Sequence, residues 1–270
     1  MMRLLIGLVL AALCMFPSTA SAIMLFPTTF YSAAAAAETY SANAVRFDGS
    51  NDFINRGADL TSNADSKVGI ISFWYKFTGG DGSKMRIWTS HDGPSDVALD
   101  KGTDNKFKFL LQGASPSYLD LRSSTAYTAD GTWHHLMAAW DVGNSVSYLY
   151  VDGSDDANEV TNVDGTIEYI KADHQMGANQ SGDLKIDWEV ADFYFNTSET
   201  IDLSSSSNRQ KFRSAAGKPV SMGDDCSEVT GESPIVCFTN PTATWHTNVG
   251  SGGGFTENGA LTDAADSPSD

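Results

Sequence analysis

Short alternating segments separated by Asp-Gly pairs constrain the fold of this chain more than any other feature of its sequence. Segments 71–77, 106–111 and 146–151 each alternate two sets of side chains with a period of two. That period is typical of β-strands with two distinct faces. Asp-Gly is a turn signal because Asp tolerates, and Gly freely adopts, a left-handed backbone. Such pairs begin at Asp48, Asp81, Asp92, Asp130, Asp152 and Asp164.

Many short strands joined by tight turns predict an all-β fold, a two-sheet antiparallel jelly-roll sandwich. No long helical period interrupts the pattern. The one predicted helix covers residues 208–216, because serines precede it, Gly217 follows it as a C-terminal cap and Pro219 cannot continue it.

The N-terminus predicts export. Arg3 gives a positive start, Leu4–Phe16 is an apolar run and residues 20–22 form a small-x-small cleavage site, so residues 1–22 are interpreted as a signal peptide. The run is shorter than the roughly 20 residues of a membrane-spanning helix. We therefore expect a secreted protein, extracellular or periplasmic, with no membrane insertion after cleavage. An uncleaved hydrophobic N-terminus that packs against a partner is the alternative. Residues 23–43 are interpreted as a linker or N-terminal arm.

The charge balance narrows the partners. The chain carries a formal net charge of −17, with 17 Lys and Arg against 34 Asp and Glu. It lacks the basic field that attracts phosphates, so nucleic acid is not expected as a partner. Its 14 Phe, 9 Tyr and 6 Trp are too many for a disordered acidic protein.

Cys226 and Cys237 remain after the predicted signal, which carries Cys14. An even pair in an oxidising compartment favours a disulfide. A metal-binding pair is the weaker alternative, because no His or Cys stands beside them at zinc-ligand spacing.

Several segments together resemble one family, the laminin-G-like, concanavalin A-like lectin domains. The segments are Ala44–Ile54, Ile71–Lys76, Gly131–Leu136, Trp140-Asp141, Leu149–Gly153 and Ile186–Tyr194. The resemblance implies a laminin-G-like jelly-roll sandwich over residues 44–203. Residues 208–261 depart from that family and resemble the C-terminal extension of such domains in phage and prophage-type surface proteins. We expect an extension over residues 204–262 to complete the sandwich or pack on it. Residues 263–270 are expected to be a disordered tail.

The resemblance also implies a function. Members of that family bind glycans or proteins through rim loops, often with one calcium ion. The implied function is a secreted, non-catalytic module that binds a glycan or surface polysaccharide through such loops. A structural or adhesion protein on a virion or cell surface, with other surface proteins as partners, is the alternative. A laminarinase-like glycoside hydrolase is the second alternative.

Two tryptophans are candidate sugar platforms. Exposed aromatic rings stack on the apolar faces of sugars, and Trp88 and Trp245 lie near predicted loops. His91, Asp92 and His246 complete this candidate ligand-binding set. Core packing is the alternative for both tryptophans.

Four aspartates are candidate calcium ligands, because hard cations take carboxylate and carbonyl oxygens. Asp155 and Asp156 lie in an acidic loop. Asp52 and Asp192 meet if the opening hairpin pairs near the late strand. Exposed acids in turns are the alternative interpretation.

The apolar phase switches inside the late segment 184–195. Trp188 and Val190 share one parity, whereas Phe193 and Phe195 share the other. Both sets can face the core only if one extra residue is inserted near Ala191, which predicts a β-bulge there.

Such a bulge would place Asp187, Glu189 and Asp192 on one face. Three neighbouring carboxylates resemble the catalytic strand of laminarinase-type glycosidases, which hold an acid and a nucleophile about 5–5.5 Å apart. Asp187 and Asp192 stand where that pattern expects Glu. We therefore expect no catalytic residues, and these three are assigned that role only if the chain is a hydrolase. The preferred interpretation of the three carboxylates is a solvated polar face on the late strand, and catalysis is the alternative.

Overall fold

The predicted all-β sandwich is confirmed by a computed structural model that describes residues 40–92, 95–112 and 117–270. Within these residues, antiparallel strands form two sheets of eight strands each. The strands are β1 (Ala44–Asp48), β2 (Phe53–Arg56), β3 (Val68–Phe77), β4 (Met85–Asp92), β5 (Ser95–Lys101), β6 (Phe107–Gln112), β7 (Ser117–Ser123), β8 (His134–Asp141), β9 (Val146–Val151), β10 (Ser154–Asp155), β11 (Ala157–Asn162), β12 (Asp173–Met176), β13 (Asp187–Asn196), β14 (Val236–Phe238), β15 (Thr256–Asn258) and β16 (Thr262–Asp263). Short 3-10 helices cover Val142–Asn144 and Thr242–Thr244.

Sheet A has the order β10-β9-β8-β3-β13-β1-β16, and β14 also pairs with β13. Sheet B has the order β11-β7-β6-β5-β4-β12-β2-β15. The last three strands add to both sheets, because β14 and β16 join sheet A and β15 joins sheet B. Strands between residues 236 and 263 therefore extend both sheets.

The core lies between the two sheets and is built from the alternating segments. Phe73 and Tyr75 of β3 and Phe107 and Phe109 of β6 are all buried there. The rings of Tyr75 and Phe107 meet edge-to-face across the core, with centroids 5.1 Å apart. The predicted period of two is confirmed in both strands.

An Asp-Gly turn closes the β9–β10 hairpin as expected. Asp152 and Gly153 both have left-handed backbones, with φ of 52° and 79°. This conformation matches the twist of the strands that it joins, and it is the reason why Asp-Gly is favoured in two-residue hairpins.

The predicted bulge in β13 is confirmed. Ala191 pairs with Trp74 and Tyr194 with Ser72, so the register against β3 shifts by one residue between them. Asp192 lies at this insertion and has a left-handed backbone conformation, with φ of 49°. As a result, residues on both sides of the shift, Trp188 and Phe193 among them, face the same core.

The outer face of sheet A carries a second apolar cluster. Phe212, Met222 and Val229 of the C-terminal extension are buried there with Met137 of β8 and Tyr194 of β13. The rings of Phe212 and Tyr194 meet edge-to-face with centroids 5.2 Å apart. Strands β8 and β13 are therefore covered on both faces.

The predicted disulfide is confirmed. Cys226 and Cys237 are bonded, with Cα atoms 6.5 Å apart. Cys237 lies in β14, so the bond ties the extension directly to sheet A.

The helix differs from the one predicted over 208–216. The α-helix covers only Ser206–Arg209. Beyond it, Phe212 enters the second cluster and Arg213 pairs with Pro219 in an isolated antiparallel bridge. Burial of Phe212 and this bridge outweigh the local helical preference.

The tail differs from the disordered segment predicted over 263–270. Asp266 accepts hydrogen bonds from Lys76 Nζ at 2.5 Å and from Trp133 Nε1 at 2.6 Å. The backbone N–H of Ala265 donates to Glu189 Oε1 at 3.1 Å. The polar composition of the tail predicts disorder. The structure differs because Lys76, a buried residue 190 positions away in sequence, holds Asp266 by a hydrogen bond.

The predicted signal peptide 1–22 and residues 23–39 of the predicted arm lie outside the described residues. Among the residues that the structure does describe, no helix is long and apolar enough to cross a membrane.

Candidate ligand-binding groove

A groove of about 490 Å³ lies on the outer face of sheet B, at strands β5 and β6 and the loop that joins them. Because Phe107 and Phe109 face the core, the side chains between and after them, Lys108 and Leu110, face outward. Loop residues 102–104 form one rim. The groove therefore combines a rigid strand surface with one rim loop.

One wall is a three-membered ion pair centred on Asp100. Arg86 Nε donates to Asp100 Oδ1, and Lys84 Nζ lies 3.1 Å from Oδ2. Arg86 also donates from Nη1 to Thr89 Oγ1 at 2.9 Å. The Arg86 and Asp100 side chains are only 8% and 7% exposed, so these partners hold both charged groups in one orientation.

A second ion-pair group on the same face is centred on Asp120. Arg122 binds its carboxylate with two hydrogen bonds, Nε to Oδ1 at 2.9 Å and Nη2 to Oδ2 at 2.8 Å. Lys108 Nζ lies 3.6 Å from Oδ2. Burial alone would raise the pKa of Asp120, but the hydrogen bonds from Arg122 and the charge of Lys108 outweigh it and lower the pKa. Asp120 is therefore ionised at neutral pH.

The groove floor is apolar between these charges. Ala98 of β5 and Leu110 of β6 are directly opposed across the two strands, and both line the groove. Lys84, Arg86 and Lys108 outnumber the acids Asp100 and Asp104 that line it, in a chain with a net charge of −17. Such a surface can hold a ligand that presents both hydroxyl groups and C–H faces.

The three predicted carboxylates of β13 lie on sheet A and each has its own partner. Arg46 pairs with Asp187, Lys76 Nζ lies 2.5 Å from Glu189 Oε2, and the hydroxyl of Tyr40 donates to Asp192 Oδ1 at 2.8 Å. Desolvation raises the pKa of Asp192 to about 7 although the Tyr40 hydrogen bond lowers it. Glu189 and Asp192 are only 3% and 4% exposed. These contacts connect β13 to strands β1 and β3. They also connect it to Tyr40 near the first described residue and, through Glu189, to the backbone of Ala265 near the last.

A family model matches residues 48–198, which is more than half of the chain. It is the Laminin_G_3 model, described as the concanavalin A-like lectin/glucanases superfamily. The chain belongs to this family.

Solved structures are similar to this Laminin_G_3 chain at low sequence identity. A Bacteroides ovatus protein described as a candidate carbohydrate-binding protein is 11% identical, with a TM-score of 0.56 over 84% of this chain and 62% of its own. A heptameric SAP-like pentraxin from Limulus polyphemus is 13% identical, with a TM-score of 0.45 over 60% of this chain and 79% of its own. Domains LG4-5 of the mouse laminin alpha1 chain are 16% identical, with a TM-score of 0.44 over 62% of this chain and 44% of theirs.

The matches cover less than two thirds of the Bacteroides and mouse chains. No curated protein sequence matches this Laminin_G_3 chain.

The prediction that Trp88 and Trp245 are exposed sugar platforms is wrong. Trp88 is 1% and Trp245 0% exposed. Trp88 stacks on Phe193 at a centroid distance of 5.5 Å, and Trp245 packs against Phe238 at 5.1 Å. Both rings contribute to the core of the Laminin_G_3 sandwich, because the two sheets leave space for large aromatics between them.

The other three predicted ligand-binding residues do not gather in one place. His91 and Asp92 end β4, and Asp92 is exposed. His246 Nδ1 lies 3.0 Å from Oε2 of Glu257 in β15. Strands β12 and β2 lie between β4 and β15 in sheet B.

Asp52 and Asp192 do not meet. Ala44 pairs with Ala191 and Asp48 with Asp187, so Asp192 lies beyond one end of the β1–β13 pairing and Asp52 beyond the other. The Asp52 carboxylate instead accepts the backbone N–H groups of Asp48 and Ala260 at 3.1 and 3.0 Å. It stabilises a turn.

Asp155 and Asp156 serve the loop around β10. Asp155 Oδ1 accepts the N–H of Ala157 at 3.1 Å, and Asp156 Oδ2 accepts the hydroxyl of Tyr127 at 2.8 Å. Within the described ranges, no group of three or more His, Cys, Asp or Glu side chains is placed to share one metal ion. The calcium ion stays a prediction.

The groove residues themselves were missed at the sequence level. The available signal was Lys108, which alternates with two core phenylalanines in segment 106–111 and must face outward. The partner strands that bring Arg86 and Asp100 beside it are not visible without the sheet order.

Proposed function

We propose that the protein is an exported, non-catalytic binding module that holds a glycan or surface polysaccharide in the groove on sheet B. The observation that carries the proposal is the apolar pair Ala98 and Leu110, flanked by the ion-paired side chains of Lys84, Arg86 and Lys108. Sugars present hydroxyl groups at their edges and C–H groups on their faces, and this surface complements both.

The groove is suited to binding because its polar groups are already ordered. Arg86 is held by Asp100 and Thr89, so little rotamer freedom remains to be lost when a ligand arrives. Its volume of about 490 Å³ lies within the roughly 300–1,000 Å³ of ligand pockets. Loop 102–104 lines one side of the groove, and we propose that it contacts the ligand as a rim loop.

Two comparisons support this proposal. The description of the family names lectins and glucanases, which are proteins that bind or cleave carbohydrates. The Bacteroides ovatus structure with the same fold is described as a candidate carbohydrate-binding protein. The disulfide supports export, because such bonds persist in oxidising compartments.

A binding assay over neutral and acidic polysaccharides tests the proposal. Lys84→Ala and Leu110→Asp are expected to weaken binding by about tenfold or more, a loss of about 1.4 kcal/mol or more. Lys67→Ala is the matched control, because Lys67 and Lys84 side chains are both 45% exposed and each pairs with one aspartate. Its binding is expected to equal that of the wild type.

Equal binding by Lys84→Ala, Leu110→Asp and the wild type would show that the groove is not the site. Hydrolysis of a β-glucan that is lost in Glu189→Gln would contradict the non-catalytic function. We expect no such hydrolysis, because Glu189 is buried and paired with Lys76.

A further inference from the structure

A second pocket, of about 150 Å³, lies where the C-terminal extension meets the β9–β10 hairpin. Its lining includes Arg209 and Arg213 together with Ser206, Gln210 and Ser214. On the hairpin side it is lined by Asp152 and Gly153. Two arginines side by side contrast with the net charge of −17 of the chain.

The guanidinium group of Arg213 lies near enough to Asp152 for its charge to help lower the pKa of that carboxyl, but it is not hydrogen-bonded to it. Among the described residues it makes no side-chain hydrogen bond or ion pair, and its Nε is buried. The group lies close to two glycines: a Cβ added at Gly217 would lie 2.8 Å from Nη2, and one added at Gly153 would lie 3.3 Å from Nη1. A buried donor without an acceptor destabilises the free protein, which favours binding of a ligand that brings an acceptor to this guanidinium group.

Arg209 is held beside it by different contacts. Its Nη1 donates to the carbonyl oxygens of Leu203 and Ser204 at 2.5 and 3.0 Å, and its guanidinium lies 4.6 Å from the ring centroid of Tyr150. The backbone N–H of Arg213 donates to the carbonyl oxygen of Arg209 at 3.1 Å, which places the two side chains one turn apart.

The acid in the pocket is already committed to other groups. Asp152 Oδ2 lies 2.6 Å from His134 Nδ1, and Oδ1 accepts the backbone N–H of His135 at 3.0 Å. Its carboxylate therefore does not satisfy Arg213 by a hydrogen bond, and the guanidinium N–H groups stay available to a ligand.

We propose that Arg209 and Arg213 form a binding pocket for one oxyanion, the carboxylate or sulfate of an acidic sugar. Guanidinium groups bind planar or tetrahedral oxyanions through paired N–H donors. A volume of about 150 Å³ is below that of pockets for whole drug-sized ligands, so one charged group enters and the rest of the sugar stays outside. Ser206 and Gln210 can donate to neighbouring hydroxyls.

The oxyanion pocket is inferred independently of the proposed function. The identification of the anion as part of a sugar rests on the proposed function. Together, the pocket and the proposed function predict that the polymer recognised by this protein carries acidic sugars. The pocket also gives the extension a direct role in recognition, beyond covering sheet A.

An NMR titration of the oxidised, full-length mature protein with sodium glucuronate, glucose 6-sulfate and glucose tests the pocket. Both acids are expected to bind with a Kd on the order of 1 mM or tighter and to shift resonances of residues 206–215, whereas glucose is not. The acid that binds more tightly identifies the preferred anion. Arg213→Gln is expected to weaken acid binding by about tenfold or more, and Arg213→Lys by less, because lysine keeps the charge but loses the paired donors.

Arg46→Gln is the charge-matched control, since Arg46 pairs with Asp187 on β1 and β13. It is expected to bind both acids like the wild type. Thermal unfolding of each variant verifies the fold, and Arg213→Lys keeps the test valid if Arg213→Gln does not fold.

Equal binding of the acids by the wild type and a folded Arg213 variant would overturn the inference, as would binding of neither acid at about 10 mM, roughly tenfold above the expected Kd. The pocket and the proposed function fail separately. If glucuronate binding depends on Arg213 but no polysaccharide binds the wild type, the oxyanion pocket stands and the glycan function does not.

Discussion

Tyr40 donates a 2.8 Å hydrogen bond to Asp192, whose carboxyl group is buried at the bulge of β13. Desolvation raises the pKa of this carboxyl to about 7, although the Tyr40 hydrogen bond lowers it. The ordinary pKa of this carboxyl, as in an unfolded chain, is 3.8. Folding therefore takes up a proton at this site between these two pH values.

Replacement of Asp192 by Asn is expected to remove a pH dependence of stability. Because the folded pKa is above the unfolded one, the contribution of Asp192 is fully present below about pH 4 and is lost as the pH rises through about 7. Asn resembles the protonated form at every pH. From about pH 4.5 to 8, the free energy of unfolding of Asp192→Asn should rise relative to the wild type by on the order of 2–4 kcal/mol. Urea unfolding at both pH values measures this change.

Asp48→Asn is the control of opposite sign. Backbone hydrogen bonds from Ser50 and Asn51 lower the pKa of Asp48, so its contribution is present above the unfolded pKa and is lost as the pH falls. That loss occurs below about pH 4, so the stability of Asp48→Asn relative to the wild type should stay constant from about pH 4.5 to 8 and should rise only as the pH falls below 4. A difference between Asp192→Asn and the wild type that is equal at both pH values would contradict the assignment of a raised pKa.

Trp245→Ala is expected to reduce stability and not to act as the loss of a sugar platform. Trp245 is fully buried and lies 6.0 Å from Phe47 and 5.1 Å from Phe238 between ring centroids. Removing a buried Trp costs about 3–5 kcal/mol. Denaturant unfolding measures the loss, and Trp245→Phe should lose less because it keeps most of the ring contacts. A fully stable Trp245→Ala with weakened sugar binding would restore the platform interpretation.

The bulge shows how much a local pattern can predict. The switch of apolar parity between Val190 and Phe193 requires one inserted residue, whatever the neighbouring strands are. The alternation of β3 and β6 and the Asp152-Gly153 turn are local in the same sense. Their geometry depends on a few consecutive residues, and the structure confirms them.

Features that depend on distant partners could not be predicted in this way. Asp266 is ordered by Lys76, 190 residues away, and the groove needs Lys108 of β6 beside Asp100 of β5. Trp245 follows a Pro in a polar stretch typical of loops, yet the fold places it between the sheets. Exposure of one side chain is decided by the whole topology, so platforms and grooves were the least predictable part of the site.

Removal of the Cys226–Cys237 disulfide is expected to destabilise the folded state by about 2–3 kcal/mol, because it constrains a short loop of the unfolded chain. Both sulfurs lie in the cluster that holds Phe212, one residue before Arg213. The Cys226→Ser, Cys237→Ser variant should therefore also bind glucuronate more weakly. Urea unfolding with and without dithiothreitol measures the stability, and the double variant should be insensitive to the reductant. Equal stability of the oxidised and reduced wild type would contradict the prediction.

Asp266→Asn is expected to lower the free energy of unfolding by about 1–2 kcal/mol, because Asp266 accepts hydrogen bonds from the buried Lys76 and from Trp133. Burial alone would lower the pKa of Lys76, but the hydrogen bonds to Asp266 and Glu189 outweigh it and raise the pKa, so the lysine is charged and needs both partners. Asp164→Asn is the matched control. Its ion pair with Lys67 is exposed on both sides, and the loss there should stay below about 0.5 kcal/mol. Chemical unfolding of both variants measures these losses of free energy. Equal losses would contradict the prediction and would mean that Asp266 contributes no more than an ordinary surface ion pair.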